Sequence, residues 1–220
     1  MACLDSDCLP ERAWAQAIVD TFDRFGERLG AVQGAVWVED NWQGKAFMIT
    51  SFGRLQAREE QEAGTLTGNN SAYWRSVFLA SPFSEDPVFH GPEVEMAAAL
   101  KAGGKLLRYV PAARVTHFYE EGLVNFMDFG RYWGWCFLNA RRSGDRALPY
   151  RAIFHALGPL AMLPAKLAID TLRLVQRWSD YQLNLRQGAA ILALLSVNAF
   201  AVSYGGLLRV LGKKAPEPLY

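Results

Sequence analysis

Residues 89–117 read FHGPEVEMAAALKAGGKLLRYVPAARVTH. Gly91-Pro92 breaks the chain and places Glu93 in the first turn of a helix, where the helix dipole favours an ionised carboxylate. Alanine content carries that helix from Glu93 to Ala102, and Gly103-Gly104 stops it. Leu106–Val110 and Val115–Phe118 follow as two short strands, the second containing His117. Taken singly, each feature favours a structural reading. Glu93 or Glu95 could also act as a general base if a carboxylate came within reach of an acceptor hydroxyl. His117, as neutral imidazole, could also be a metal ligand.

Upstream, Ala2-Cys3-Leu4 has the character of a strand end, and Asp5-Ser6-Asp7 stands where a strand gives way to a loop. A loop can turn both carboxylates inward. Such oxygen pairs suit hard cations, Mg²⁺ or Mn²⁺, which neutralise phosphate charge. Pro10 suits the first position of a helix, and Trp14, Ile18, Phe22, Phe25 and Leu29 keep helical steps, so the spacing predicts a helix over 11–29 ended by Gly30. Ala31–Val38 reads as a strand. Residues 43–62 read as a loosely amphipathic helix whose Arg58-Glu59-Glu60 run is a solvated face. Thr65–Thr67 reads as a short strand and Gly68-Asn69-Asn70 as a turn, with amides suited to oxygen-rich groups. Ser71 then caps a helix through Leu79, and Ser81–His90 is a loop. Strands alternating with helices over residues 2–118 predict an α/β layered fold.

The 220 residues carry a net charge of +1, too little to attract nucleic acid, so no nucleic-acid partner is expected. Three cysteines, Cys3, Cys8 and Cys136, make no disulfide framework and fit a reducing compartment. Cys3 and Cys8 read as small buried hydrophobes; His90 and His155 read as structural or interfacial. The opening residues do not read as a signal peptide, and none is expected there.

Residues 123–142 read as a helix with Phe126, Phe129, Trp133 and Phe137 on one stripe. Tyr132, Trp133 and Trp135 suit a core or a bilayer interface, or stacking on sugar. After Ser143-Gly144-Asp145 the composition shifts. Gly188–Leu208 is 21 residues without a charged side chain, long enough to span a bilayer core. Lys166, Asp170, Arg173 and Arg177 recur at helical steps beside Leu167, Leu172, Leu174 and Trp178. The stretch around 150–178 is therefore either an interfacial amphipathic helix or a second span.

The order of these pieces resembles the family 2 glycosyltransferases of GT-A fold. LDSDC resembles that family's DxD segment and AVQGAV at 31–36 the strand after it. TGNNSAYWRSVF resembles the Gly-x-Asn segment that shapes the donor and acceptor site. GPEVEMAAALKAGGKLLRYVPAARVTH resembles the stretch carrying the catalytic acid and the V-x-H strand. The resemblance covers residues 1–145; 146–220 is similar to the membrane segments of many members. It implies an incomplete GT-A, Rossmann-like domain that lacks the family's first strands and starts at the DxD motif.

The resemblance further implies an inverting enzyme that moves a sugar from a nucleotide-diphosphate sugar to a lipid-linked or cell-envelope glycan acceptor. Asp5, Asp7 and His117 would hold a divalent metal, Mg²⁺ or Mn²⁺. Glu93 would be the catalytic base, although Pro92-Glu93 stands where the family has Glu-Asp, and Gly68, Asn69, Asn70 and Glu95 would bind substrate. The location implied is the inner or plasma membrane, with the catalytic portion cytoplasmic. The expectation of another class is a non-catalytic membrane-anchored remnant that binds a partner or glycan.

Overall fold

A computed structural model describes residues 1–38, 41–80, 92–118, 122–136 and 158–214. They fall into two compact units: Met1–Glu39 with Arg54–Phe118, and Asp40–Gly53 with Tyr119–Tyr220. Each is taken by itself below. The loop expected at Ser81–His90, His155 and the end of the helix expected over 123–142 lie outside the described residues.

The first unit is a sheet flanked by helices. Its strands are β1 (Ala2–Leu4), β2 (Cys8–Pro10), β3 (Leu29–Val38), β4 (Gln61–Glu62), β5 (Asn70–Tyr73) and β6 (Leu106–His117). The order is β1-β5-β3-β6-β2, with β4 pairing β6 as well. β3 and β6 run parallel; the other pairs are antiparallel. β4 lies against Arg108-Tyr109 and β2 against Val115–His117, so the long β6 carries two partners on the side away from β3.

α1 (Trp14–Phe25) buries Ile18 and Phe22 against Leu29, Val32, Ala72, Val110 and Ala113. A side chain at Gly30 would meet Leu100 of α4 (Pro92–Ala102). Adjacent strand residues point to opposite faces, so α1 and α4 cover opposite faces of the sheet. The α/β expectation therefore holds as a mixed sheet with helices on both faces. α3 (Arg75–Ala80) follows β5.

Several local expectations are corrected. The first helix starts at Trp14, not Glu11, because Pro10 ends a strand; proline is tolerated there on an edge, where no ladder donor is needed. It stops at Gly26, which adopts φ 57°, and Leu29 belongs to β3. Leu29 fits a helical stripe and a buried strand equally, and tertiary pairing decided. The helix expected over 43–62 is α2 (Trp42–Phe47), then a wide π turn and a 3₁₀ turn that ends at Gln56. Its charged run is not merely solvated: Glu60 pairs with Arg24 at 2.6 Å and Arg108 at 3.0 Å. Burial pushes the Glu60 carboxyl up, but the two guanidiniums win and hold it below the usual range. Residues 65–67 form no strand, and Ser71 caps no helix because it sits inside β5.

The two strands expected at 106–110 and 115–118 are one strand with a shift in register between Gly34 and Ala35. Pairing jumps there from Gly34–Val110 to Ala35–Arg114. The buried Asn70 amide closes the gap, donating to Ala35 O at 2.8 Å and Ala113 O at 2.9 Å. Trp14 Nε1 donates to Asn70 Oδ1 at 2.8 Å and fixes its orientation. Gly34 makes the room: a Cβ there would collide with Asn70 and the Ala113 carbonyl. Asn70→Leu would leave buried carbonyls and the Trp14 indole unsatisfied. Each orphaned group costs about 1–3 kcal/mol, so the expected destabilisation is at least about 3 kcal/mol by urea unfolding. A midpoint equal to the parent's would refute it.

The second unit is helical. α5 (Leu123–Cys136) and α6 (Pro159–Arg177) both pack on α7 (Leu185–Val210), as does α2. Asn184 and Gln187 cap α7 reciprocally, side chain to backbone. The polar stripe on α6 faces inward. Lys166 and Asp170 are buried and paired at 2.6 Å, while Leu160, Leu172 and Val175 are exposed. Arg173 donates to Asp170 at 3.3 Å and to Ile49 O at 3.2 Å. Among the described residues, α7 is the helix long and apolar enough to cross a membrane, and half of that apolar stretch is buried in the protein.

Candidate functional site

The site lies at the carboxyl end of the parallel pair β3–β6, where open α/β sheets hold their ligands. His117 is the last residue of β6 and pairs directly with Cys8, the first of β2. The Asp5–Asp7 turn joins β1 to β2. It is closed by Cys8 N–H donating to Asp5 O at 3.1 Å and tied to β6 by Phe118 N–H donating to Asp7 O at 2.8 Å. A strand pairing and two backbone bonds therefore fix the acidic turn against the histidine.

Asp7 Oδ2 stands 3.5 Å from His117 Nε2, with the imidazole buried and the carboxylate half-exposed. Cys8 Sγ joins them: one ligand atom each of Asp7, Cys8 and His117 lies within 4.8 Å of the others. The Cys8 thiol hydrogen-bonds to the Asp7 carboxylate. Burial first, then the charges of Asp7 and Asp5, push the thiol up to about 12. Burial and the neighbouring Asp7 raise Asp5 above the usual carboxylate range, against the opposing pull of His117. Asp5 is thus an electrostatic neighbour of the group, although Asp7, Cys8 and His117 form the tight cluster.

On the other side stands Glu93, partly buried in the first turn of α4. Its carboxylate accepts from the Gly68 amide and from its own backbone N–H. Burial raises its pKa; those two hydrogen bonds oppose the shift and the charge of Asp5 adds to it. Asp5 and Glu93 therefore feel one another, and Cys3 feels both. Below them Cys3 hydrogen-bonds to Ser71, whose hydroxyl donates to Tyr73 Oη at 3.0 Å.

Gly68 is held in place by Gln33 of β3. Gln33 Nε2 donates to Asn70 O at 2.9 Å, and Gln33 Oε1 accepts from Thr67 N–H at 2.7 Å. Thr67 Oγ1 donates to Asn69 Oδ1 at 2.7 Å. One buried glutamine thus rigidifies the 67–70 turn whose amide reaches Glu93.

Of the residues singled out by sequence, Asp5, Asp7, His117, Glu93 and Gly68 are gathered at this end of the sheet. Glu95 is exposed. Asn69 and Asn70 are buried, and Asn70 spends its side chain on the sheet. Sequence reasoning missed Cys8 as a member of the group, and Gln33 as its brace. Cys8 follows Asp7 directly, but the cross-strand pairing with His117 that gives it meaning is not visible in a linear pattern.

A carboxylate oxygen and an imidazole nitrogen converging at a partly open edge fit a divalent cation, with Asp5 adding negative charge.

No family model matches the chain, and no curated protein matches it. The sheet with helices on both faces is a mixed α/β, Rossmann-like arrangement, and its fold is similar to that of a solved glycosyltransferase. One solved structure with that likeness is the mannosyltransferase PcManGT from Pyrobaculum calidifontis, in complex with GDP-Man and Mn²⁺. It is 15% identical, with a TM-score of 0.54, and the match covers 97% of this chain. The chain spans 62% of that protein's length.

Proposed function

We propose that this chain is a family 2 glycosyltransferase of GT-A type, inverting at the anomeric carbon. It would transfer sugar from a nucleoside diphosphate sugar to a lipid-linked or cell-envelope acceptor, with residues 1–145 forming the transferase part and 146–220 the membrane-associated part. The observation that carries the proposal is the pairing of two unlike groups at one sheet end. On one side is an Asp7–His117 contact of 3.5 Å beside Asp5; on the other is the partly buried Glu93, close enough to Asp5 for their charges to interact.

Asp5, Asp7 and His117 would hold Mg²⁺ or Mn²⁺, whose charge would stabilise the departing nucleoside diphosphate. Glu93 would take the proton of the acceptor hydroxyl as that oxygen bonds the anomeric carbon. The pKa-raising burial of Glu93 moves the base toward the operating pH, where general bases work best. The Gly68 amide orients the carboxylate, and Asn69, Asn70 and Gln33 keep the turn rigid for that purpose. Glu95, exposed one residue beyond Val94, would meet acceptor groups.

The membrane assignment is supported by the inside-out pattern of the helical unit. Polar Lys166 and Asp170 point inward while Leu160, Leu172, Val175, Leu185 and Phe200 point outward, as suits surroundings of lipid. α7, 26 residues long, extends about 39 Å, enough for a hydrocarbon core of about 30 Å.

Binding of a nucleoside diphosphate sugar by calorimetry, with and without Mn²⁺, tests the reading. The parent chain is expected to bind only with Mn²⁺, and Asp7→Ala is expected to lose binding by about 100-fold or more, since it removes a ligand whereas even outer-shell changes cost 10–100-fold. No binding at millimolar ligand, or binding indifferent to Asp7, would sink it.

A further inference from the structure

The donor set at the sheet end is not one of oxygen and nitrogen alone. Cys8 and His117 are direct cross-strand partners, so their side chains emerge on the same face at adjacent positions. Asp7 precedes Cys8, and its carboxylate already engages the thiol. Two ligands sharing a tetrahedral Zn²⁺, with bonds of about 2.0–2.3 Å, stand about 3.5 Å apart; Asp7 Oδ2 and His117 Nε2 are 3.5 Å apart. The sulfur lies within 4.8 Å of both. The β2–β6 ladder holds the Cys8 and His117 backbones side by side, and side-chain rotations at Cys8, His117 and the half-exposed Asp7 would draw the three atoms round one ion.

We propose that Asp7, Cys8 and His117 form a mixed sulfur, nitrogen and oxygen centre that takes Zn²⁺ in preference to Mg²⁺ or Mn²⁺. Thiolate selects borderline-soft ions, whereas oxygen ligands alone select hard ones. Three protein ligands leave the fourth tetrahedral position open to water or a ligand oxygen, as at sites that meet substrate. Metal–sulfur bond formation displaces the thiol proton, which passes to solvent by way of the Asp7 carboxylate. The proposal rests on Asp7 and His117 as metal ligands, as in the reading above, but not on sugar transfer. Its consequence for a transferase is that Zn²⁺ would compete with the cation that supports donor binding.

Titration of the full chain with Co²⁺ is the test. The expected result is a thiolate-to-cobalt charge-transfer band in the parent, bleached by Zn²⁺, retained in Cys3→Ser and absent in Cys8→Ser. Zn²⁺ affinity is expected to fall roughly 100-fold in Cys8→Ser, with Mn²⁺ affinity changed far less. Absence of the band in the parent chain, or its survival in Cys8→Ser, overturns the proposal; the parent experiment needs no variant to fold. The two readings fail separately: a band without Mn²⁺-dependent donor binding upholds the centre and sinks transfer, and donor binding without a band does the reverse.

Discussion

Gly134→Ala is expected to destabilise the helical unit by about 3 kcal/mol, the upper part of the usual overpacking range, and Gly134→Ala with Gly205→Ala to prevent its stable packing. α5 and α7 touch backbone to backbone. A methyl at Gly134 would overlap the Val202 carbonyl, and one at Gly205 would overlap the Arg131 carbonyl. At Gly130 it would come within 2.8 Å of Asn198 Nδ2, which donates to Phe126 O at 3.3 Å. At Gly134 and Gly205 the obstacle is backbone, so relief there requires the helices to separate; at Gly130 it is a side-chain amide already held by its hydrogen bond. Separation would also loosen the Met162–Val202 contact and the Trp133 packing around it. The pattern Gly130-x-x-x-Gly134 is the small-residue spacing by which helices approach closely. Because both glycines serve one interface, their effects are expected to couple rather than add. Gly64→Ala is the control, since a Cβ there meets nothing within 4 Å. Thermal unfolding and limited proteolysis of the full chain decide the matter; Gly134→Ala melting with the parent would sink the argument.

The same helices illustrate what a linear reading can and cannot see. α4 and α7 were legible because their signals are local: alanine ended by paired glycines, and an unbroken apolar run. The direction in which α6 faces was not, because periodicity defines a stripe without saying whether its polar side meets water or protein. Lys166 and Asp170 face inward because each supplies the other's countercharge at 2.6 Å. β5 was hidden for a related reason. Asn70-Ser71 has the composition of a cap, and becomes a buried strand only because β1 and β3 pair it on both sides. At the site, Asp5, Asp7, Glu93 and His117 could be singled out through their order along the chain. Cys8 and Gln33 could not, since their significance lies in cross-strand contacts with His117 and with the 67–70 turn.

Glu93→Gln isolates the charge of the proposed base from its shape. The amide keeps the volume and can still accept from Gly68 N–H, so donor binding is expected to stay within about twofold while kcat falls about 10²–10⁴-fold, the usual worth of general-base catalysis. Stability is expected to move the other way. The folded-state pKa of Glu93 is raised, chiefly by burial, so the fold binds its proton more tightly than the unfolded chain does. That contribution is fully present below the unfolded pKa and is lost as pH rises through the raised folded value. Above it the parent carries a partly buried carboxylate repelled by Asp5, and Glu93→Gln carries neither burden. The variant should therefore melt higher than the parent at neutral pH, with the advantage shrinking as pH falls through the titration. Asp5 titrates with the same sign, so some pH dependence should survive in the variant, and a divalent cation that neutralises Asp5 should reduce it. A variant that melts below the parent at every pH, or that turns over sugar at the parent's rate, would remove Glu93 from the role of base. Higher stability joined to lost turnover is the signature of a group kept at a cost to the fold for what it does chemically.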